Sequence, residues 1–103
     1  MKELEVIDLG SIDQVALGHG HCFVVKKRRI AIFRPRGGGI YAMQNNCPHL
    51  GGPLADGIVG EGKVACPLHG HKYNFVTGES SEEGEIVKIY KVEEKNGNIF
   101  LEV

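Results

Sequence analysis

Two short segments concentrate the chemistry available to this chain. One reads Cys47-Pro48-His49-Leu50-Gly51-Gly52-Pro53-Leu54, the other Cys66-Pro67-Leu68-His69-Gly70-His71-Lys72-Tyr73. Each offers one thiolate and one imidazole at short spacing, C-x-H in the first and C-x-x-H in the second. Both pairs sit among prolines and glycines, so both segments read as loops. Such loops can curl until two side chains converge on one point. Glycine lets backbone approach a bulky inorganic centre, and proline stiffens the loop, so less freedom is lost on binding. A lone cysteine or histidine is usually a packed core residue, but four in two matching loops are hard to explain by packing. A Cys2His2 donor set leaves two metals open. Zinc takes it tetrahedrally, although zinc fingers draw both cysteines from one segment and both histidines from another, usually on a helix. A [2Fe–2S] cluster with one iron on two cysteines and the other on two histidines needs the pairing found here.

The elements that must position these loops are short strands cut by turns. Leu4 and Val6 begin a first strand, and Ser11 can cap a single helical turn through Gln14. Residues 22–26 and 29–34 are β-rich runs around Lys27-Arg28, as in a hairpin. A third strand, 40–44, leads into the first loop. Ile58-Val59 and Lys63-Val64-Ala65 flank Gly60-Glu61-Gly62 as a short hairpin, and the second loop follows. Tyr73 and Phe75 alternate with polar neighbours in a strand closed by Thr77-Gly78-Glu79. Ile86 to Glu94 alternates, Asn96-Gly97 is a type I′ turn, and Ile99, Leu101 and Val103 return. No window shows a 3.6-residue apolar stripe. The expected fold is all-β, built from small antiparallel sheets.

Composition narrows the function classes. At 103 residues, with 42% hydrophobic and 24% charged residues, the chain fits one globular domain, 1–103, and no disordered tail or coiled coil. Twelve Lys+Arg against thirteen Asp+Glu leave no basic excess for nucleic acid. No apolar run approaches the roughly 20 residues of a membrane span. The start, Met1-Lys2-Glu3-Leu4-Glu5, lacks a secretory signal, so a cytoplasmic location is expected. Three cysteines, an odd number, argue against a disulfide framework and toward metal or redox chemistry. Glycine, at 15 residues, is about twice its usual share of about 7%, which suits many tight turns and close backbone approaches.

The two segments together resemble the Rieske cluster motif, C-x-H-x-G…C-x-x-H-G, with Gly51 and Gly70 as its glycines. The resemblance covers most of the chain, including the strands before the first loop and the closing hairpin. It implies a Rieske-like fold with a two-loop cluster-binding tip and one [2Fe–2S] cluster. Cys47 and Cys66 would hold the inner ferric iron, and His49 and His69 the outer iron that takes up the electron. Two Fe³⁺, two S²⁻ and two thiolates sum to zero, and one electron leaves −1. Neutral imidazoles make such a site easier to reduce than an all-cysteine cluster.

Departures from the motif point to a subtype. The Rieske proteins of cytochrome complexes carry a disulfide whose cysteines would fall at Gly52 and Leu68, a serine where this chain has His71, a proline-rich third loop and a membrane anchor. Tyr73 matches their tyrosine whose hydroxyl reaches a ligand sulfur. Fewer hydrogen bonds to sulfur mean a lower potential. The chain is thus similar to a soluble Rieske ferredoxin, an electron carrier and not itself an enzyme, relaying single electrons from a flavin-dependent reductase to a terminal oxygenase. The alternative is the small subunit of assimilatory NAD(P)H nitrite reductase, with that enzyme's large subunit as partner. Ile30-Ala31-Ile32-Phe33-Arg34, Gly39-Ile40-Tyr41-Ala42 and Gly57-Ile58-Val59 are similar to such subunits. A zinc-stabilised interaction module is a third reading.

Other features have plainer explanations. Cys22 reads as a packed thiol, and His19 and His21 as a solvated loop around Gly20. Lys26-Lys27-Arg28-Arg29 reads as a solvated turn, and Gly37-Gly38-Gly39 lacks the residues of a phosphate loop. For His71, an exposed-rim position near the cluster that influences docking or potential is considered but not favoured. Glu79 to Glu85 is expected to be a solvated acidic loop, with steering of a basic partner face as the less favoured reading.

Overall fold

A computed structural model of the chain describes residues 4–48, 51–68, 70–82 and 84–103. Six strands form the larger sheet: β1 (Val6–Ser11), β2 (His19–Val25), β3 (Arg28–Arg34), β4 (Tyr41–Gln44), β8 (Ile89–Lys95) and β9 (Asn98–Glu102). Their spatial order is β1-β9-β8-β4-β3-β2. A smaller sheet, ordered β5-β6-β7, holds β5 (Ile58–Gly60), β6 (Lys63–Ala65) and β7 (Lys72–Asn74). Every pairing of these strands is antiparallel. Among the described residues, the only helical segments are 3-10 turns at Ile12–Gln14 and Leu54–Asp56. Ser11 caps the first through its hydroxyl, which accepts from the Asp13 N–H at 3.0 Å.

Three hairpins use two-residue turns with left-handed backbone at both positions, the geometry that matches the twist of paired strands. These are Lys26-Lys27 (φ 51° and 65°), Glu61-Gly62 (53° and 75°) and Asn96-Gly97 (52° and 80°). The first lies one residue before the Lys27-Arg28 turn read from the sequence, because Val25 pairs with Arg28. A slip by one would reverse every side chain of β3. Two other boundaries differ from expectation. Strand β7 ends at Asn74, whose Oδ1 accepts from the Val76 and Thr77 N–H groups and turns the chain before Phe75. Strand β8 begins at Ile89, not Ile86, because residues 86–87 bond to Gly78 and Glu79 instead of to the large sheet.

Strand β3 explains where the core sits. Ile30, Ala31, Ile32 and Phe33 are all buried, although a strand sends alternate side chains to opposite faces. Ile30 and Ile32 pack with Ile12, Val15, Ile99 and Leu101 on one side. Ala31 and Phe33 pack on the other with Met43, Leu54, Val64, Tyr73 and Phe75, and with Cys47 and Cys66. The second core is the floor of the cysteine loops. Strands β4 and β8 are neighbours, with Ala42 opposite Tyr90 and Met43 opposite Ile89. The 44 residues between them, 45–88, therefore leave and rejoin the large sheet at one place, carrying both loops and the small sheet as an insertion.

Candidate metal centre

The first loop leaves β4 and is tied at its neck by Asn45, a buried polar residue. Its N–H donates to Arg29 O at 3.0 Å, its carbonyl accepts from Leu54 N–H at 2.7 Å, and its Oδ1 accepts from Ala55 N–H at 2.9 Å. The second loop is tied by the β6–β7 ladder, where Ala65 faces Lys72. Above these necks the two loops share one backbone frame. The Cys47 N–H donates to Gly52 O at 2.9 Å, and Gly51 N–H donates to Cys47 O at 2.7 Å. In the second loop, Cys66 N–H donates to His71 O at 2.8 Å, and Gly70 N–H donates to Cys66 O at 2.9 Å. Both cysteines thus donate to the residue five ahead and accept from the residue four ahead. That fourth residue is left-handed in each case, Gly51 at φ 71° and Gly70 at φ 73°, a conformation that glycine adopts without strain.

The loops meet. A Cβ built on buried Gly52 would stand 2.9 Å from the Leu68 side chain and 3.1 Å from Cys66 Sγ. This places Gly52 and Leu68 side by side, the two positions at which the sequence lacks a cross-loop cysteine pair. Cys47 and Cys66 are 2% and 4% exposed and belong to one packed core. Pro48, Gly51, Pro67, Leu68 and Gly70 are exposed. Two buried cysteines flanked by exposed loop residues fit a centre that is covered on its cysteine side. His49 and His69, the other two ligands expected from the sequence, lie outside the described residues.

A side-chain network reaches this centre from below. Tyr73, fully buried, places its Oη 3.1 Å from Cys47 Sγ and 3.3 Å from Glu85 Oε1. Burial first, and then the hydrogen bond and charge of Cys47 and the nearby Glu85, push the Tyr73 hydroxyl pKa well above that of ordinary tyrosine. It stays protonated and is available to donate. Burial alone would push the Glu85 carboxyl up, but the hydrogen bond and charge of His71, with help from Ser80 and Tyr73, outweigh it and hold the carboxyl below its ordinary value. His71 Nδ1 lies 3.0 Å from Glu85 Oε1, and Ser80 Oγ donates to that oxygen at 3.3 Å.

Several expectations are corrected here. The exposed-rim position not favoured for His71 is indeed not adopted: its side chain is 17% exposed and is held by Glu85. The acidic loop is not solvated throughout. Glu79 and Glu82 are exposed, but Glu85 turns inward, with its side chain 19% exposed. His19 and His21 stand on strand β2, not in a loop, with their side chains exposed. The basic run is part turn and part strand: Lys26-Lys27 forms the exposed turn, where Lys26 pairs with Glu5 at 3.0 Å, and Arg28-Arg29 opens β3. Cys22 is half-buried against the floor of the loops, as a packing thiol would be. Asn45 and Glu85 escaped the sequence reading. Asparagine in Asn45-Asn46-Cys47-Pro48 looks like any turn former, and Glu85 acts through contacts with residues 12 and 14 positions away.

Residues 5–102 match the family model of the Rieske-like [2Fe–2S] domain. The chain is 32% identical over 95 residues to apoptosis-inducing factor 3 of human and mouse, which covers 92% of this chain but only 14% of those proteins. It is 31% identical over 97 residues to the anthranilate 1,2-dioxygenase ferredoxin subunit of Burkholderia cepacia, covering 92% of this chain and 89% of that one. A solved Mycobacterium tuberculosis structure, assigned as an NADH-dependent nitrite reductase small subunit, superposes with a TM-score of 0.89 over 99% of this chain and 97% of its own. At 20% identity, that likeness is one of fold.

Proposed function

The chain belongs to the Rieske-like [2Fe–2S] family and carries one cluster of that type, and from that premise we propose that it is a single-electron carrier, a Rieske ferredoxin and not an enzyme in its own right. Residues 1–103 are taken as one such domain. Cys47 and Cys66 hold the inner iron, and His49 and His69 the outer one. The observation that carries this reading is the shared frame of the two loops, each fixing a buried cysteine by the same pair of backbone hydrogen bonds. The cluster supplies a one-electron couple. The rest is the work of this chain's residues. The two necks fix the distance between the loops, the core beneath Cys47 and Cys66 excludes water, and the Tyr73 hydroxyl offers a hydrogen bond to Cys47 Sγ. The exposed tip leaves the other side open to a docked partner.

The proposed partners are a flavin-dependent reductase as donor and a terminal oxygenase as acceptor, in the cytoplasm. The Burkholderia cepacia ferredoxin subunit, matched over nearly the full length of both chains, supports this. The second reading, a nitrite reductase small subunit docked on its large subunit, is supported by the likeness of fold. Zinc, which the donor set alone left open, is not retained, because the family carries iron and sulfide. Among the described residues, no helix is long and apolar enough to cross a membrane. The test is reconstitution. The reduced protein should be reoxidised by a terminal oxygenase component in the presence of its aromatic substrate. Failure there, with tight co-purification of a sirohaem-containing subunit, would favour the second reading.

A further inference from the structure

Among the described residues, Glu85 Oε1 lies near His71 Nδ1 at 3.0 Å, Tyr73 Oη at 3.3 Å and Ser80 Oγ at 3.3 Å. Glu79 and Glu82 are exposed, with Glu82 Oε1 3.9 Å from His71 Nε2, whereas Glu85 reaches inward to the tyrosine that touches Cys47. We propose that Glu85 is a positioning residue for electron uptake, which holds the potential of the site down by competing with Cys47 Sγ for the hydroxyl proton of Tyr73. This rests on the reading of Cys47 as a cluster ligand.

A tyrosine hydroxyl has one proton to donate. A ligating cysteine is a thiolate and only accepts. Glu85 as a carboxylate also only accepts. Tyr73 Oη lies 3.1 Å from the first and 3.3 Å from the second, so its proton is divided between them. A hydrogen bond to a ligand sulfur stabilises the added electron and raises the potential. Each share of the proton taken by Glu85 therefore lowers it. The negative charge of Glu85 opposes an incoming electron as well, so both effects have the same sign. His71 and Ser80 keep the carboxylate in place facing the tyrosine.

The experiment compares the reduction potentials of the intact cluster-bearing protein as wild type, Glu85→Gln, Tyr73→Phe and the double variant. Iron content and the visible spectrum are recorded for each. Glu85→Gln should keep both and become easier to reduce by about tenfold in the reduction equilibrium constant, which is about 59 mV for one electron. Tyr73→Phe should become harder to reduce. In the Tyr73→Phe background, the Glu85→Gln shift should shrink, leaving only the effect of charge. An unchanged potential in Glu85→Gln overturns the proposal, as does an equal shift in both backgrounds. If Glu85→Gln does not assemble a cluster, Glu85→Asp decides. It keeps the charge but withdraws the carboxylate, so the potential should still rise, and an unchanged value overturns the proposal. A wild-type protein without iron and sulfide would instead overturn the reading on which the proposal rests.

Discussion

Gly52→Ala is the sharpest probe of how the two loops fit together. The backbone of Gly52 is not left-handed, so the substitution tests space and not conformation. The new methyl would stand 2.9 Å from Leu68 Cγ and Cδ1 and 3.1 Å from Cys66 Sγ, where carbons prefer about 3.5–4.0 Å. Leu68 is half-exposed and can swing outward. Cys66 cannot, since it is buried and its backbone is tied to His71 and Gly70. The loops must therefore part by several tenths of an ångström. Overpacking of this kind costs about 1–3 kcal/mol, a fall in Tm of about 4–24 °C for a domain of this size. The assay is thermal unfolding followed at the visible absorption of the cluster, with the rate of cluster loss to a chelator alongside. Leu68→Ala added to Gly52→Ala should recover part of the loss, because it removes the 2.9 Å contacts but not the sulfur contact. A Gly52→Ala protein as stable as wild type, releasing iron no faster, would refute the close approach of the loops.

Cys47→Ala and Cys66→Ala should each give a colourless, poorly folded protein, since metal binding contributes to folding, whereas Cys22→Ala keeps its cluster and spectrum. Iron analysis of the three separates them. Asn45→Ala leaves the buried Ala55 N–H without its side-chain acceptor and should cost about 1–3 kcal/mol in chemical unfolding; a loss within error would mean that the neck holds without it. Glu85 has a folded pKa below its ordinary value, so its contribution to stability is full above the unfolded value of about 4.3 and is lost as pH falls through the lower folded one. The Tm difference between wild type and Glu85→Gln should accordingly narrow below about pH 4.3, and a difference constant from pH 3.5 to 7 would contradict the pairing.

Much of this was legible locally. Asn96-Gly97 marks its hairpin because left-handed turns favour asparagine and glycine, and the glycines around Glu61 mark the other. The two Cys/His pairs mark the loops because their spacing and their glycines repeat. Tyr73 was legible through the motif, and its contact with Cys47 is present. What escaped depends on distant partners. The Lys26-Lys27 turn is set by the pairing of Val25 with Arg28, and lysine carries no turn signal of its own. Phe75 alternates like a strand residue, yet Asn74 diverts the backbone before it while its ring stays in the core against Phe33 and Tyr41. Glu85 reads as one more charge in an acidic run until the fold brings it beneath the first cysteine loop, where it meets Tyr73 and His71.

The central claim is that two cysteines and two histidines from twin loops hold a one-electron iron centre. Pulsed electron paramagnetic resonance of the one-electron-reduced protein tests it most directly, because it counts the nitrogens bound to the iron that carries the unpaired spin. Two strongly coupled nitrogens are expected in the wild type, with one coupling removed by substituting His49 or His69. A reduced cluster with no nitrogen coupling, or a colourless protein that takes up no electron and contains one zinc, would contradict it.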